Sequence, residues 1–143
     1  MTRLIELDRD HAIAPDAPGA ADLDFLRRRG FRSLVNLRDA GEADQALSPA
    51  REGEEAERRG LAYLHFPVRP DELGPDTVRA FREKLDRLPK PVAIHCASGK
   101  RAGLMTIAAR GEDRLSAGLE AVRASGIDLP EARLRAMMPD DPR

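Results

Sequence analysis

The sequence predicts an α/β fold in a single domain spanning residues 1–143, and three observations carry that prediction. Short apolar runs of strand length alternate with segments whose apolar residues recur three or four apart. The joints between them are short and rich in Gly, Pro and Asp. A chain of 143 residues is long enough for one core and leaves little for a second.

Leu4 to Leu7 reads as a first strand, after which PDAPG breaks the chain. Ala20 to Arg29 forms a helix with Leu23 and Leu26 inward, closed by Gly30. Ser33 to Leu37 is a strand, and DAGEADQAL a polar loop. Ser48-Pro49 supplies a cap and a first-turn residue for a helix to Arg59, ended by Gly60. Within it, REGEEAERR reads as a solvated face with opposite charges close enough to pair, and Arg27 to Arg29 in the helix before reads as a solvated face. Leu61 to Phe66 is the next strand, followed by the connector PVRPDELGP. Val78, Phe81, Leu85 and Leu88 then share one helical face, and PKP releases the chain into the strand VAIHC. Leu104, Met105, Ile107, Ala108 and Ala109 make a helix apolar on most sides, which implies burial at the centre of the fold. Leu115, Leu119 and Val122 mark an amphipathic helix stopped by Gly126, and Pro130 to Met138 a short last one, whose Met137-Met138 end can pack on its own chain or on a neighbour. Apart from the final PDDPR there is no low-complexity segment, and no internal repeat.

Composition narrows the function. With 24 basic and 25 acidic residues the chain is not built to coat nucleic acid. No apolar run approaches the ~20 residues of a membrane helix, and MTRLIELDRD lacks the apolar stretch of a signal peptide, so a cytoplasmic location without membrane association is expected. One Tyr, four Phe and no Trp leave no visible stacking wall for a phosphotyrosine or a nucleobase. The single cysteine, Cys96, cannot form an intrachain disulfide and is expected as a free thiol.

That cysteine sits in VAIHCASGKRAG, where a short apolar strand gives way within a few residues to the buried helix. The intervening residues must turn sharply with their amides inward, which makes an anion nest, at the carboxyl end of a strand where α/β sheets bind ligands. Gly99 permits a positive backbone angle or a close approach; Lys100 and Arg101 add charge, and Arg101 a planar fork for two oxygens of a phosphate or sulfate. A thiol at a helix amino terminus beside cations is expected as a thiolate. The opposing reading is a buried core cysteine, common for this residue type. Strand alternation turns His95 away from Cys96, to brace the loop rather than act as a base. His11 and His65 have no metal-ligand spacing with it and read as structural or surface residues.

This loop, with FRSLVNLRDAGE, LAYLHFPV and RAFREKLDRLPKPVAIHC, resembles the bacterial beta-lactamase hydrolase-like phosphatase domains, relatives of the dual-specificity tyrosine phosphatases, over about Leu4 to Arg110. The resemblance implies a cysteine-phosphatase-like fold with four or five mostly parallel strands flanked by helices, and a phosphocysteine intermediate. It implies Cys96 as nucleophile, the amides of Ala97, Ser98, Gly99, Lys100 and Arg101 as the phosphate cradle, and Arg101 as clamp on two oxygens. An aspartate on a preceding loop would protonate the leaving group; Asp71 in VRPDELG fits best and Asp76 second, although Asp beside Pro is ordinary turn chemistry and Asp76 also suits a helix first turn. Arg38 lies near the same crevice but reads as a surface arginine. No metal or other cofactor is implied, and the partner is a phosphorylated protein or a small-molecule phosphate ester.

Two features depart from the phosphatase pattern. Only four residues separate Cys96 from Arg101 where five are usual, so Ala102 takes the expected Arg position, and Ala102 also replaces the hydroxyl residue that helps the sulfur leave. Ser98 and Thr106 are the alternative hydroxyls. The six-residue loop CASGKR also looks like that of rhodanese sulfurtransferases, whose cysteine carries a persulfide, although no GHIxGA-like segment lies upstream. A non-catalytic phosphate-binding module is the third reading.

Overall fold

The computed structural model of the protein describes residues 3–140. Among them five strands, β1 (Ile5–Glu6), β2 (His11–Ala14), β3 (Ser33–Asn36), β4 (Ala62–His65) and β5 (Val92–His95), form one sheet in the order β1-β2-β5-β3-β4. All neighbours are parallel except the edge pair β1 and β2. The helices are α1 (Ala20–Arg28), α2 (Pro49–Arg58), α3 (Pro75–Asp86), α4 (Lys100–Arg110), α5 (Leu115–Ala124) and α6 (Glu131–Met137). The sheet is thus mostly parallel and flanked by helices, as the resemblance implied.

Strand β5 occupies the centre, with His95 level with Ala14 of β2 and Asn36 of β3. The chain builds outward from β3 to β4 and then returns to insert β5 beside β2, so neighbouring connections diverge at its carboxyl end. A crevice opens at such a switch point. Alternation along β5 divides the core. Val92, Ile94 and then Cys96 join the larger cluster with Phe81 of α3 and Met105 of α4, while Ala93 joins the smaller one with Leu23 and Leu26 of α1 and Ala56 of α2. Helix α4 is buried from Ala102 through Arg110, which accounts for apolar residues on most of its sides.

The structure departs from the expected elements in two places. Strand β2 was not anticipated, because HAIA is buried throughout and shows no alternation. Its entry needs no glycine: Asp8 Oδ1 accepts the amides of Asp10 and His11 at 2.8 Å each and folds the chain back on β1. The face REGEEAERR is not wholly solvated either, since Glu52 and Glu55 are buried, at 2% and 8% exposure. Of the two packings open to the Met137-Met138 end, the first is found, with Met137 in the core of its own chain and Met138 packed against it. The last three residues of PDDPR lie outside the described residues, as do Met1 and Thr2. Among the described residues no helix is long and apolar enough to cross a membrane.

Candidate active site

The loop after β5 is short because α4 begins at Lys100, four residues beyond Cys96. Such a turn requires left-handed backbone at Gly99, whose φ is +89°. It also requires the missing side chain: a Cβ there would stand 2.9 Å from Ile127 Cδ1 and 3.3 Å from Pro15 Cα. Both reasons offered for Gly99 from the sequence therefore hold. The turn aims the start of α4 at the sulfur, and the Ala102 amide donates to Cys96 Sγ at 3.3 Å. Cys96 is 1% exposed and packs among core residues, so the buried-cysteine reading and the loop reading describe one residue. Ala97, Ser98 and Lys100 are exposed around it.

Arg101 is held by a clamp that the sequence did not disclose. Its Nη1 and Nη2 donate to Glu42 Oε2 and Oε1 at 2.9 and 2.6 Å, and Nη1 donates also to the Val68 carbonyl at 2.8 Å. A guanidinium has five N–H donors, and these contacts spend three. The two left, on Nε and the outer side of Nη2, lie parallel on one edge and meet no oxygen acceptor among the described residues. The Glu42 hydrogen bonds raise the Arg101 pKa against the opposing effect of burial, and the nearby Cys96 sulfur raises it further. In turn the Arg101 hydrogen bonds, outweighing burial and aided by the Asp39 amide, pull Glu42 down to about 2.

Arg38 is not the surface residue expected. It is 2% exposed, and its guanidinium bonds the Ala43 and Asp44 carbonyls, the latter at 3.4 Å, with Nε 3.6 Å from Glu42 Oε1. It fastens the loop that carries Glu42. Its own amide donates to Asn36 Oδ1 at 2.8 Å at the end of β3.

The connector after β4 meets the same loop. Val68 N donates to the Leu37 carbonyl at 3.0 Å, and a 3-10 turn follows over Pro70–Glu72. Between this turn and the Cys96 loop lies a cavity of about 400 Å³, walled by Ser98, Lys100 and Arg101, by Pro70 and Leu73, and by Arg133 of α6. Asp71 stands on that turn between Pro70 and Leu73, exposed; its carboxyl is not part of the cavity wall and accepts no hydrogen bond among the described residues. Its neighbour Glu72 is already engaged with the Arg69 amide at 2.7 Å. Asp76 is 99% exposed in the first turn of α3, 2.9 Å from Arg79, and lines no part of the cavity. Of the two hydroxyls, Ser98 lines the cavity, whereas Thr106 is sealed in the core with Oγ1 unpartnered.

His95 points away from Cys96, as alternation requires, and meets Glu52 Oε2 at 2.7 Å. Burial and the Glu52 charge push the Tyr63 phenol up, and Asn36 Nδ2 donates to that phenol at 3.2 Å. This buried network ties β5 to α2 and β3 behind the loop. His11 pairs with Asp8 at 3.0 Å, and His65 Nε2 lies 2.6 Å from the Arg38 carbonyl; both are structural. Among the described residues no group of three or more His, Cys, Asp or Glu could hold a metal ion.

Comparison with known proteins bears on the family and the fold. Residues 3–112 match the model of the beta-lactamase hydrolase-like protein, phosphatase-like domain. A beta-lactamase hydrolase-like protein of Xylella fastidiosa is 32% identical over 100 residues, covering 70% of this chain and 23% of the relative, so the chain spans about a quarter of that relative's length. In structure the chain is similar to a protein of Neisseria meningitidis assigned provisionally as a phosphatase, with a TM-score of 0.77 at 24% identity over 92% of this chain and 94% of the other. It is also similar to Tk-PTP in its active form, with a TM-score of 0.63 at 26% identity over 93% and 92%.

The Glu42 clamp makes a pH-dependent contribution to stability. Its carboxyl is depressed from 4.5 to about 2 in the folded chain, so the unfolded chain binds the extra proton in that interval. The contribution is complete above pH 4.5 and is lost as pH falls towards 2. Denaturant titrations at pH steps through this window should show a steeper loss of stability in the wild type than in Glu42→Gln. Equal slopes would contradict the assignment.

Proposed function

The chain belongs to the family of beta-lactamase hydrolase-like phosphatase-like domains, and we propose that it is a cysteine-dependent phosphatase acting on a phosphate monoester through a phosphocysteine at Cys96. The observation that carries this reading is the edge of Arg101 left over by Glu42 and Val68, which interacts with a sulfur that also accepts the Ala102 N–H. Two parallel donors match two oxygens of a phosphoryl group, and the Glu42 clamp fixes the fork before substrate arrives.

The reaction proceeds in two displacements. The Cys96 thiolate attacks phosphorus in line, the S–P bond forms as the P–O ester bond breaks, and Asp71 gives its proton to the departing oxygen. The amides from Ala97 to Arg101 and the Arg101 edge not bound by Glu42 or Val68 take the charge on the equatorial oxygens. Water then attacks phosphorus, Asp71 takes back a proton, and the sulfur leaves as thiolate with release of inorganic phosphate. Asp71 is preferred over Asp76 for this role because its neighbours line the cavity and its carboxyl is not committed elsewhere. Ala102 offers no hydroxyl to assist departure of the sulfur, which leaves Ser98 as the one hydroxyl on the cavity wall and makes the second displacement the slower one. Phosphorylated partners, whether protein or small molecule, fit this chemistry; Cys96, Arg101 and Asp71 are the residues proposed to carry it.

Purified protein should hydrolyse an aryl phosphate without added metal, with inhibition by vanadate, and Cys96→Ser should lower the rate at least 1,000-fold, on the order of the loss expected for a nucleophile. Sustained activity in that variant would rule out the sulfur, and sulfur transfer from thiosulfate to cyanide in place of hydrolysis would move the chain to the sulfurtransferases. Asp71→Asn should slow turnover most for esters with poor leaving groups and little for the best ones. The same loss across a leaving-group series would remove Asp71 from the acid role.

A further inference from the structure

The cavity beside the loop is cationic on more than one wall. Lys100 and Arg101 stand on the loop and the start of α4, and Arg133 faces them from α6, an element outside the matched residues 3–112. No carboxylate lines the cavity among the described residues, and apart from Ser98 the rest of its wall is apolar, with Pro70, Leu73, Leu104 and Pro130. Arg133 is held in place because its Nη2 donates to the Pro70 carbonyl at 2.9 Å, which spends one donor of five. No other hydrogen bond or carboxylate engages it among the described residues. A single phosphoryl group seated on the Cys96 loop is already answered by the amides and by Arg101. A further guanidinium across the cavity has nothing left to neutralise unless the substrate carries a second anion.

We propose that the site takes a small-molecule phosphate ester bearing a second anionic group, a phosphate or a carboxylate, which Arg133 recognises across the cavity while Cys96 receives the first phosphoryl group. The inference rests on the phosphatase reading for the first group and adds the second. A volume of about 400 Å³ lies within the usual range for small-molecule sites, roughly 300 to 1,000 Å³. The wall has no aromatic ring to stack on a phenol leaving group, and its leucines and proline suit an aliphatic body. The bidentate geometry of a guanidinium suits either anion.

Binding of two non-hydrolysable probes, inorganic phosphate and methylenediphosphonate, tests this by calorimetry without any turnover. The wild type should bind methylenediphosphonate more tightly, and Arg133→Ala should weaken it about tenfold while phosphate affinity stays within about twofold, the scale of one charge-assisted contact. Arg133→Lys, which keeps the charge, should recover part of the loss, and an unchanged melting temperature in both variants separates recognition from folding. Equal loss for both probes, or no loss for methylenediphosphonate, would overturn the second-anion role. An acidic phosphopeptide that gained as much from Arg133 as the diphosphonate does would overturn the small-molecule class. Because neither probe reacts, a chain that shows the Arg133-dependent preference but hydrolyses nothing fails the phosphatase reading alone, and an active phosphatase without the preference fails this inference alone.

Discussion

The structure turns on how a central strand passes into a buried helix within four residues. Helix α4 is enclosed from Ala102 to Arg110, so it must sit against the sheet rather than swing out to solvent. That leaves the chain a single tight turn after His95, with left-handed backbone at Gly99 and no room for a side chain against Ile127 and Pro15. The same turn that lets α4 pack also points the Ala102 amide at Cys96. Packing and the placement of the sulfur share one cause, with core residues around Cys96 and the Ala102 N–H at its Sγ.

Arg101 is divided between two tasks by its own geometry. Three donors are committed to Glu42 and Val68, and two remain in parallel. A flexible arginine would lose side-chain entropy on gripping an oxyanion; one already fixed by a bidentate carboxylate loses little. The cost of fixing it is borne by a chain of contacts running from Asn36 through Arg38 to the Glu42 loop. The supporting residues come from the end of β3, the strand next to β5, which is why a site on one loop depends on a segment far away in sequence.

What could be read from the residues alone follows the range of the interactions. CASGKR was legible as a tight strand-to-helix turn because strand, glycine and helix start are contiguous, and local sterics dictate their arrangement. Glu42 was not, since it meets Arg101 across 59 positions and nothing before the fold says that β3 and β5 are neighbours. Its one signal was placement just past the strand SLVNL, on the side of the sheet where ligands bind. Arg38 misled because Asp39, Glu42 and Asp44 around it look like a solvated loop; the fold turns the Ala43 and Asp44 carbonyls inward and buries the guanidinium against them. Strand β2 was missed for a different reason, as a fully buried four-residue strand carries no period, and Arg133 because α6 reaches the cavity only through the packing of the last helices.

The measurement that bears most directly on the central claim is identification of the phosphorylated residue in enzyme quenched by denaturant during turnover, using peptide mass spectrometry with phosphorus resonance to identify the bond. The account predicts a phosphoryl group on the Cys96 peptide, bonded through sulfur and absent from Cys96→Ser. Hydrolysis that continues with no phosphoenzyme, or with the phosphoryl group on any other residue, would contradict it.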